Sequence, residues 1–343
     1  MDEGKDFLNQ KVIIIGAGIA GLSAAHRLKE GGVDCVLLEK ARGVGGRMAT
    51  RSYGELRFDF GAQYFTVRDP AFEKEVQNWK SRGWLNAWRA EFLSGDAKRR
   101  QEPQERWVSP DGIRRLMAKW SEGLTIQLEW RANRLERSAE AWKVFSKDGR
   151  LERAEYVMLS CPAPQAIDLL TSSEVSKTLA KELESFQYEP CLALLFELSR
   201  LPTCLEKGAF WPPSESSVRW IANNQDKGLC EGLAVTVHLA GAVSEELWEV
   251  VEREEPQEFW KRERKGRLRA LSDFLEEPGI LHGIHRWRYS QPKDRSADSR
   301  SQSFLVSRRE ALYIIGDAFL GGRVEGAYLS GRRAAEDLLK ETS

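Results

Sequence analysis

The start of the chain combines a short apolar run, a glycine-rich turn and a helical pattern. Residues 11–15 (Lys-Val-Ile-Ile-Ile) are typical of a strand that is buried on both faces. A GxGxxG motif follows, and residues 19–29 then carry apolar side chains at helical spacing. A second apolar strand over residues 35–39 ends in an acid, Glu39. This order of strand, glycine turn, helix, strand and acid predicts a Rossmann βαβ unit.

Each residue type in this unit has a role in binding an adenine dinucleotide. Gly16 permits the tight turn, Gly18 lets the backbone approach a pyrophosphate, and Gly21 allows close helix–strand packing. The start of the helix at residues 19–20 presents backbone N–H groups and a positive dipole to the phosphates. Glu39 lies where a carboxylate accepts ribose hydroxyls. These residues alone do not separate NAD from FAD.

A basic, glycine-rich loop after Glu39 favours FAD. Residues 41–47 (Ala-Arg-Gly-Val-Gly-Gly-Arg) resemble the second fingerprint of the glutathione-reductase-type and amine-oxidase-type flavoproteins. The resemblance implies that this loop packs on the phosphate and ribityl region of the flavin. Its glycines let the backbone approach the cofactor, and Arg42 or Arg47 supplies fixed positive charge near the diphosphate.

The other end of the chain carries a matching segment. A predicted strand over 311–315 precedes Gly316-Asp317, and a helix is predicted from about residue 327 to 340. This arrangement resembles the third FAD motif, in which the aspartate accepts a ribityl hydroxyl and the helix dipole stabilises the anionic reduced flavin. Since segment 311–327 has no cysteine or histidine suited to a covalent link, we expect non-covalent FAD.

Because both ends of the chain carry cofactor motifs, the middle is expected to be inserted. The predicted fold class is α/β, with a Rossmann-like FAD-binding domain (glutathione-reductase/p-hydroxybenzoate-hydroxylase type) and an inserted α+β substrate domain. The FAD-binding domain is expected over 1–74, 106–164 and 281–343, and the substrate domain over 75–105 and 165–280. Further strands are predicted over 58–65, 126–135, 142–145, 156–160, 192–198, 217–222 and 233–238, and those over 126–135 and 142–145 alternate like antiparallel strands.

Several stretches resemble the bacterial renalase type within the amine-oxidase flavoprotein superfamily. They are GGRMATR at 45–51, FDFGAQYFT at 58–66, WIANN at 220–224, HRWRY at 285–289, and segment 316–331. The resemblance implies a reaction in which 2- and 6-dihydro isomers of NAD(P)H pass a hydride to FAD and become NAD(P)+. Reoxidation by O2 then gives hydrogen peroxide. The expected partners are therefore a dihydronicotinamide-like small molecule and O2.

The residues predicted to contact FAD come from the three motifs and from the aromatic stretch after residue 62. They are Gly16, Gly18, Ile19, Ala20, Gly21, Glu39, Lys40, Arg42, Gly46, Arg47, Gln63, Tyr64, Phe65, Gly316, Asp317, Arg323, Glu325 and Ala327.

A second set of residues is predicted to line the substrate site. It comprises Tyr64, Phe65, Trp220, Asn223, His238 and Trp287, with Gln63 and Arg288 as further candidates. Asn223 or His238 can hydrogen-bond a carboxamide, and Arg288 can meet a phosphate. Lys227 is expected to be a solvated lysine rather than a flavin contact. No general base is assigned, because a dihydropyridine delivers its hydride without losing a proton from nitrogen.

The same side chains have structural alternatives that the sequence leaves open. Tyr64 and Phe65 can belong to the core, and Trp220 and Trp287 can pack at a domain interface. His238 ends an apolar strand and can be a hydrogen-bonded structural histidine.

Composition argues against several other classes of protein. The 52 basic and 52 acidic residues balance, which gives no support for nucleic-acid binding or a polybasic membrane surface. Five scattered cysteines and four histidines argue against a disulfide framework and a metal site. The chain starts with a polar, acidic segment, and no apolar run reaches the ~18 residues of a membrane span. We expect a soluble, cytoplasmic protein that does not bind membranes.

Two alternative functions stay open. An amine oxidase or carotenoid-desaturase-like enzyme would keep FAD and change the substrate, although a mean hydropathy of −0.49 does not suggest an apolar desaturase. A flavin-binding sensor without turnover would keep the cofactor and lose the reaction. Segments 91–106 and 207–216 match no pattern of the renalase type, so the substrate can differ as well.

Overall fold

The computed structural model describes residues 12–95, 104–138, 141–206, 208–293 and 302–342. These residues form two compact units. The first comprises the chain up to Gly46, Met117–Gln187 and the chain from Pro292 onward, and the second comprises Arg47–Leu116 and Tyr188–Gln291. The predicted division into a cofactor domain and a substrate domain stays a prediction. Lys11 and part of the predicted substrate segment 75–105 lie outside the described residues.

The described elements are numbered here in chain order. The strands are β1 (Val12–Ile15), β2 (Cys35–Leu38), β3 (Thr50–Tyr53), β4 (Leu56–Asp59), β5 (Asn86–Ala87), β6 (Glu91–Ser94), β7 (Trp107–Val108), β8 (Thr125–Gln127), β9 (Ala132–Arg137), β10 (Trp142–Ser146), β11 (Leu151–Ala154), β12 (Tyr156–Leu159), β13 (Tyr188–Glu197), β14 (Gly208–Trp211), β15 (Val218–Asn223), β16 (Ala234–Leu239), β17 (Ile280–Pro292), β18 (Leu305–Ser307) and β19 (Leu312–Ile314). The helices are α1 (Ile19–Glu30), α2 (Pro70–Ser81), α3 (Ile113–Trp120), α4 (Ala163–Ser172), α5 (Lys177–Leu183), α6 (Gly241–Glu246), α7 (Trp248–Arg253), α8 (Pro256–Glu263), α9 (Arg269–Leu275) and α10 (Val324–Thr342).

The first unit contains a six-stranded sheet with the order β18-β19-β12-β1-β2-β8. All neighbouring strands in it are parallel except β18, which is antiparallel to β19. The central strand β1 is buried along its whole length, as expected for a parallel strand with cover on both faces. This arrangement confirms the predicted α/β fold with a Rossmann-like sheet.

The prediction of one antiparallel strand over residues 126–135 is wrong. The first part belongs to β8, which lies parallel to β2, and the second part belongs to β9 in a separate antiparallel sheet with β10 and β11. Glu129 between them has a φ of 53°. Its left-handed backbone turns the chain away from the first sheet, and side-chain alternation does not reveal such a turn.

Helices α1 and α10 approach each other closely because glycine stands at their contact. A Cβ at Gly331 in α10 would overlap the carbonyl oxygen of Ala20 in α1. In the same way, a Cβ at Gly21 would overlap the carbonyl oxygen of Gly16. Gly21 therefore has the packing role that its place in the motif predicts.

The second unit is built on a six-stranded sheet with the order β17-β13-β16-β15-β14-β6. Its strands β13, β15 and β16 coincide within a few residues with predicted strands. One face packs against α7, α8 and α9 through an apolar core that includes Trp248, Phe259 and Trp260. Since side chains alternate along a strand, the opposite face carries Trp220 of β15 and His238 of β16.

The predicted strand over 58–65 is shorter in the structure, where β4 ends at Asp59 and residues 60–65 are irregular. No helix in the described part of the chain is long and apolar enough to cross a membrane. The cytoplasmic location stays a prediction.

Candidate functional site

The GxGxxG turn of the first unit joins β1 to α1. Gly16 has a φ of +108°, which residues with a side chain rarely adopt, and its N–H donates to the carbonyl of Leu38 on β2 at 2.9 Å. The N–H of Gly45 donates to the carbonyl of Ala17 at 2.8 Å. The two glycine-rich segments predicted to bind the cofactor therefore lie together.

The N-terminus of α1 offers room and polarity for an anion. Gly18 is its N-cap and provides no side-chain cap, and a Cβ at this position would meet no atom within 4 Å. The first turn carries no acidic side chain. The N–H groups of Ile19 and Ala20 have no acceptor within the helix, and the helix dipole adds partial positive charge. This open cradle, which a larger residue at Gly18 would fill, fits the pyrophosphate of FAD.

Glu39 holds the turn together in addition to its predicted role. Its side chain is buried, and Oε2 accepts a hydrogen bond from the N–H of Ala17 at 2.8 Å. Oε1 accepts another from the N–H of Ala41 at 2.8 Å. A carboxylate has further lone pairs, so ribose hydroxyls can still donate to it. The sequence predicted the ribose role, and the second role was missed because it depends on backbone geometry.

The C-terminal motif lies in the same unit. The N–H of Gly316 donates to Oγ of Ser330 at 2.9 Å, which ties the end of β19 to α10. A Cβ at Gly316 would meet open space, and the carboxyl groups of Asp317 and Glu325 are buried. Since α10 begins at Val324, earlier than predicted, Glu325 lies in its first turn. The first unit therefore has buried carboxylates that can accept hydrogen bonds from hydroxyl groups, and the open N-terminus of α1 can bind phosphates. Together these groups fit FAD.

The basic residues predicted near the diphosphate lie at the surface of this unit. Lys40 donates from Nζ to Oε1 of Gln165 at 2.9 Å. Arg42 forms an exposed ion pair with Glu129 at 3.3 Å, which contributes little to stability. Arg323 is exposed as well. Their contact with FAD stays a prediction.

Four residues predicted to contact FAD lie in the second unit: Arg47, Gln63, Tyr64 and Phe65. Nη1 of Arg47 donates to the carbonyl oxygens of Tyr289 at 3.4 Å and Ser290 at 3.1 Å. The carbonyl of Arg47 accepts from the N–H of Ala62 at 2.9 Å and leaves no room for a Cβ at Gly61. Arg47 therefore fixes the irregular segment 60–65 against β17, and a phosphate contact stays a prediction.

Two predicted substrate residues meet at one carbonyl group in this unit. The oxygen of Phe60 accepts from Nε2 of His238 at 3.1 Å and from Nε1 of Trp287 at 2.8 Å. The Phe60 ring stacks on Trp287 at 5.4 Å between centroids, and His285 lies 4.2 Å from the Trp287 ring. We call Phe60, His238, His285 and Trp287 the histidine–tryptophan cluster. His285 stands in the HRWRY stretch but was not singled out from the sequence.

Both histidines of the cluster are neutral near pH 7. Burial lowers the pKa of each ring to about 4, and the hydrogen bond to Phe60 offsets part of this effect for His238. Neighbouring positive charges lower both pKa values further. These charges are Lys227 and Arg219 for His238, and Arg51 and Arg286 for His285. No carboxylate is among the charges that shift these two pKa values, but Arg219 and Arg286 are each paired with one, Glu189 and Glu252, at 2.8 Å. The cluster itself is therefore uncharged.

The prediction that Lys227 is solvated is wrong, since it is 3% exposed. Its Nζ donates to Oε1 of Gln63 at 2.7 Å and to Oδ1 of Asn224 at 3.4 Å. Burial lowers its pKa to about 8, against the attraction of nearby carboxylates. The segment 224–228 (Asn-Gln-Asp-Lys-Gly) has the composition of an exposed turn, so no local pattern indicates that Lys227 is buried.

Asp59 is the acidic counterpart of Lys227 and is 1% exposed. Its Oδ1 accepts from the hydroxyl of Thr50 at 2.6 Å and from the N–H of Ile113 at 3.1 Å, whereas Oδ2 has no hydrogen-bond partner. Its carbonyl accepts from Nε2 of Gln63 at 2.6 Å. Burial raises the pKa of the carboxyl group. An acid between two phenylalanines was a signal in the sequence that this residue is buried.

Tyr64 and Phe65 have the core role that is their structural alternative, and Trp220, whose alternative is packing at a domain interface, also lies in a core cluster. Tyr64 and Trp220 pack with Trp88, Phe92 and Trp211 in one aromatic cluster. Phe65 is buried against Phe72 and Trp79. These rings are core residues of the second unit, and their contact with a substrate stays a prediction.

Asn223 and Arg288 are already engaged within the protein. Asn223 is 1% exposed, with Oδ1 accepting from two backbone N–H groups and Nδ2 donating to the carbonyl of Leu205 at 3.1 Å. The guanidinium of Arg288 lies 4.2 Å from the Trp248 ring centroid and 3.6 Å from the carboxylate of Glu245. Among the polar residues predicted to contact the substrate, His238 therefore remains the strongest candidate.

Comparison with protein families agrees with the geometry of the first unit. The pattern described as "Flavin containing amine oxidoreductase" matches residues 87–339, and an "NAD(P)-binding Rossmann-like domain" matches residues 14–77. Renalase of Mus musculus is 27% identical over 195 residues, which are 54% of this chain and 57% of that protein. A 1-hydroxycarotenoid 3,4-desaturase of Flavobacterium sp. is 47% identical over 58 residues, which are 17% of this chain and 12% of that protein. The chain thus spans little more than half of the mouse relative and far less of the desaturase.

Solved structures share the fold. A protein from Exiguobacterium sp. 255-15 with a provisional assignment as a protoporphyrinogen oxidase has a TM-score of 0.74 and 14% identity, covering 98% of this chain and 100% of its own. A putrescine oxidase bound to putrescine has a TM-score of 0.67 and 13% identity, covering 96% of this chain and 99% of its own. At such identities the likeness shows the fold alone.

Proposed function

Since this chain belongs to the family of flavin-containing amine oxidoreductases, with FAD as cofactor, we propose that it oxidises the 2- and 6-dihydro isomers of NAD(P)H. The dihydronicotinamide, O2 and one proton are converted to NAD(P)+ and hydrogen peroxide. When bound, FAD would supply the hydride acceptor and the electrons that reduce O2. The similarity to mouse renalase over 54% of the chain supports this choice within the family.

The charge of the histidine–tryptophan cluster is the observation that carries the proposal. His238 and His285 are neutral, and the charged groups that shift their pKa values are all cations. An amine approaches as an ammonium ion and needs a carboxylate partner, and no carboxylate is among the charges that shift either histidine pKa. A dihydronicotinamide has a neutral ring, so the uncharged aromatic cluster favours it over an ammonium ion.

The residues of this cluster need only bind and orient the substrate. Trp287 is fixed by its hydrogen bond to Phe60 and by ring stacking, so its indole is a rigid apolar surface for a planar ring. A dihydropyridine loses its hydride without losing a proton from nitrogen, and a neutral histidine with a pKa of about 4 is a weak base near pH 7. The cluster is therefore suited to hydride donors and not to reactions that need a strong base.

The test is an anaerobic titration of the FAD-loaded protein in which flavin bleaching is followed by absorbance. We expect 6-dihydro-NAD to bleach the flavin rapidly, while ordinary NAD(P)H, putrescine and spermine do not. Admitting O2 should then restore the oxidised spectrum with one hydrogen peroxide per dinucleotide. Faster bleaching by an amine than by either dihydro isomer would overturn the proposal in favour of an amine oxidase.

A pair of tryptophan variants makes the test specific for the cluster. Trp287→Leu should raise the half-saturating concentration of 6-dihydro-NAD about 10-fold, since aromatic stacking and packing contribute on the order of 1.4 kcal/mol. Trp84→Leu is the matched control in the same unit, because Trp84 lies outside the cluster against Arg82. Equal kinetics for both variants would remove Trp287 from the substrate site.

A further inference from the structure

The tautomer of His238 is determined by its hydrogen bond. A backbone carbonyl can only accept, so Nε2 of His238 must carry the proton that it donates to Phe60 at 3.1 Å. In the neutral ring the other nitrogen, Nδ1, is then an unprotonated acceptor. No residue of the described ranges hydrogen-bonds Nδ1, and the side chain is partly exposed.

The two amide side chains predicted for the site, Asn223 and Gln63, have no free acceptor to offer a ligand. Asn223 is 1% exposed and uses its amide on backbone groups. Gln63 is buried, with Oε1 bound to Lys227 and Nε2 bound to the carbonyls of Asp59 and Gly61. His238 is therefore the member of this set that offers a free, accessible acceptor.

We propose that Nδ1 of His238 accepts a hydrogen bond from the carboxamide N–H of the nicotinamide ring. This bond would make the site prefer a nicotinamide dinucleotide to a nicotinic acid dinucleotide, whose ring carries a carboxylate instead. This inference rests on the proposed function. A carboxamide has two N–H donors, whereas a carboxylate has acceptors only and would place its oxygen against the Nδ1 lone pair. A ligand without a hydrogen-bond donor at this point would leave the Nδ1 acceptor without a partner, and the cost of that lost bond disfavours its binding.

The charged groups around His238 keep Nδ1 an acceptor, and carboxylates offset their attraction for an anionic ligand: Arg219 pairs with Glu189 at 2.8 Å, and Asp59 and Asp226 act on Lys227. Lys227 and Arg219 are the charges that act on the ring, and both oppose its protonation. Burial acts in the same direction, and the pKa of about 4 keeps Nδ1 an acceptor at neutral pH. A carboxylate bound beside the ring would raise this pKa, so at lower pH a protonated Nδ1 could donate to it.

The experiment compares 6-dihydro-NAD with its nicotinic acid counterpart in the anaerobic bleaching assay. Near pH 7.5 we expect the amide form to have a half-saturating concentration about 10-fold lower, which is the size of one hydrogen bond that the other form cannot make. Near pH 5 the preference should shrink. Equal half-saturating concentrations near pH 7.5 would overturn the inference while leaving the proposed function intact.

Two substitutions at His238 distinguish loss of the Nδ1 acceptor from a general effect on protein folding. His238→Phe removes Nδ1 and should abolish the preference, while His238→Gln retains a donor for Phe60 and an acceptor and should keep it. His282→Phe is the control, because His282 pairs with Glu197 at 2.7 Å and stacks on Tyr53, outside the cluster. A preference that survives in a folded His238→Phe protein would assign the selection to another residue.

An equilibrium measurement distinguishes failure of the inference from failure of the proposed function. Oxidised NAD+ and nicotinic acid adenine dinucleotide are titrated into the FAD-loaded protein, and binding is followed by the flavin difference spectrum. Tighter binding of NAD+ in the wild type, lost in His238→Phe, supports the inference even if no dihydro isomer bleaches the flavin. Equal binding of both dinucleotides contradicts it.

Discussion

Lys227 and Asp59 are a buried base and a buried acid of the same unit that shift each other's pKa, and Gln63 hydrogen-bonds Nζ of Lys227 and the backbone carbonyl of Asp59. Lys227→Met leaves the Asp59 carboxyl buried without a compensating charge. We expect a loss of about 3 kcal/mol in the free energy of unfolding, since removing one partner of a buried pair is strongly destabilising. Urea denaturation of the FAD-loaded protein measures it. The double variant Asp59→Asn/Lys227→Met should recover most of this loss, and additive effects would show that the two residues are independent.

The lowered pKa of Lys227 predicts how stability changes with pH. Below about pH 8 the amine is protonated in both the folded and the unfolded chain, so its contribution is constant. Between about 8 and the ordinary value of 10.5 the unfolded chain binds the proton and the folded chain does not. The free energy of unfolding should therefore rise with pH in this window, by on the order of 3 kcal/mol from this group. Denaturation midpoints at several pH values, compared between the wild type and Lys227→Met, test this prediction. An identical pH dependence in the variant would show that Lys227 does not cause the rise.

At the scale of elements, two glycines beside α1 have different roles: Gly331 lies in the neighbouring helix α10, and Gly18 is the N-cap of α1. Gly331→Ala in α10 would push a methyl group into the carbonyl of Ala20, so we expect it to destabilise the protein by about 2 kcal/mol or more whether FAD is present or not. Gly18→Ala meets no atom and has a φ of −74°, which alanine adopts readily. It should leave the stability of the flavin-free protein nearly unchanged.

The same Gly18→Ala variant should bind FAD at least about 10-fold more weakly, because the methyl group would occupy the open space where the pyrophosphate is predicted to bind. Fluorescence titration of the flavin-free protein with FAD measures the dissociation constant, and circular dichroism melts provide the stability comparison. Unchanged FAD affinity in Gly18→Ala would show that the pyrophosphate does not approach the backbone at this glycine.

At the scale of the whole molecule, what the sequence predicted depends on how local the determining contacts are. The βαβ unit followed from consecutive residues, because strand, turn and helix patterns and Glu39 are all encoded within one segment. The burial of Lys227 could not be predicted, since its partner Gln63 is 164 residues away. His238 was recognised as a candidate, but its tautomer depends on Phe60, which is 178 residues away. Such contacts arise only when strands distant in sequence pair.

The cofactor motifs in the first unit come from opposite ends of the chain, so FAD should stabilise residues that are distant in sequence together. At 100 times its dissociation constant FAD should raise the free energy of unfolding by about 2.7 kcal/mol. Hydrogen exchange of the FAD-loaded and flavin-free proteins locates this effect. Amides at residues 16–21 and 316–317 should gain protection on loading, because the first segment is predicted to face the pyrophosphate and the second the ribityl chain.

The C-terminal end of α1 is the internal control for this measurement, since Gly31 and Gly32 are exposed and lie beyond the helix end opposite the cofactor motif. Their exchange should change little when FAD binds. Protection confined to residues 16–21 would show that the C-terminal motif does not hold the flavin. Equal protection at both ends of α1 would show that FAD stabilises the helix as a whole rather than contacting its first turn, and the assignment of Gly18, Ile19 and Ala20 as direct contacts would then be wrong.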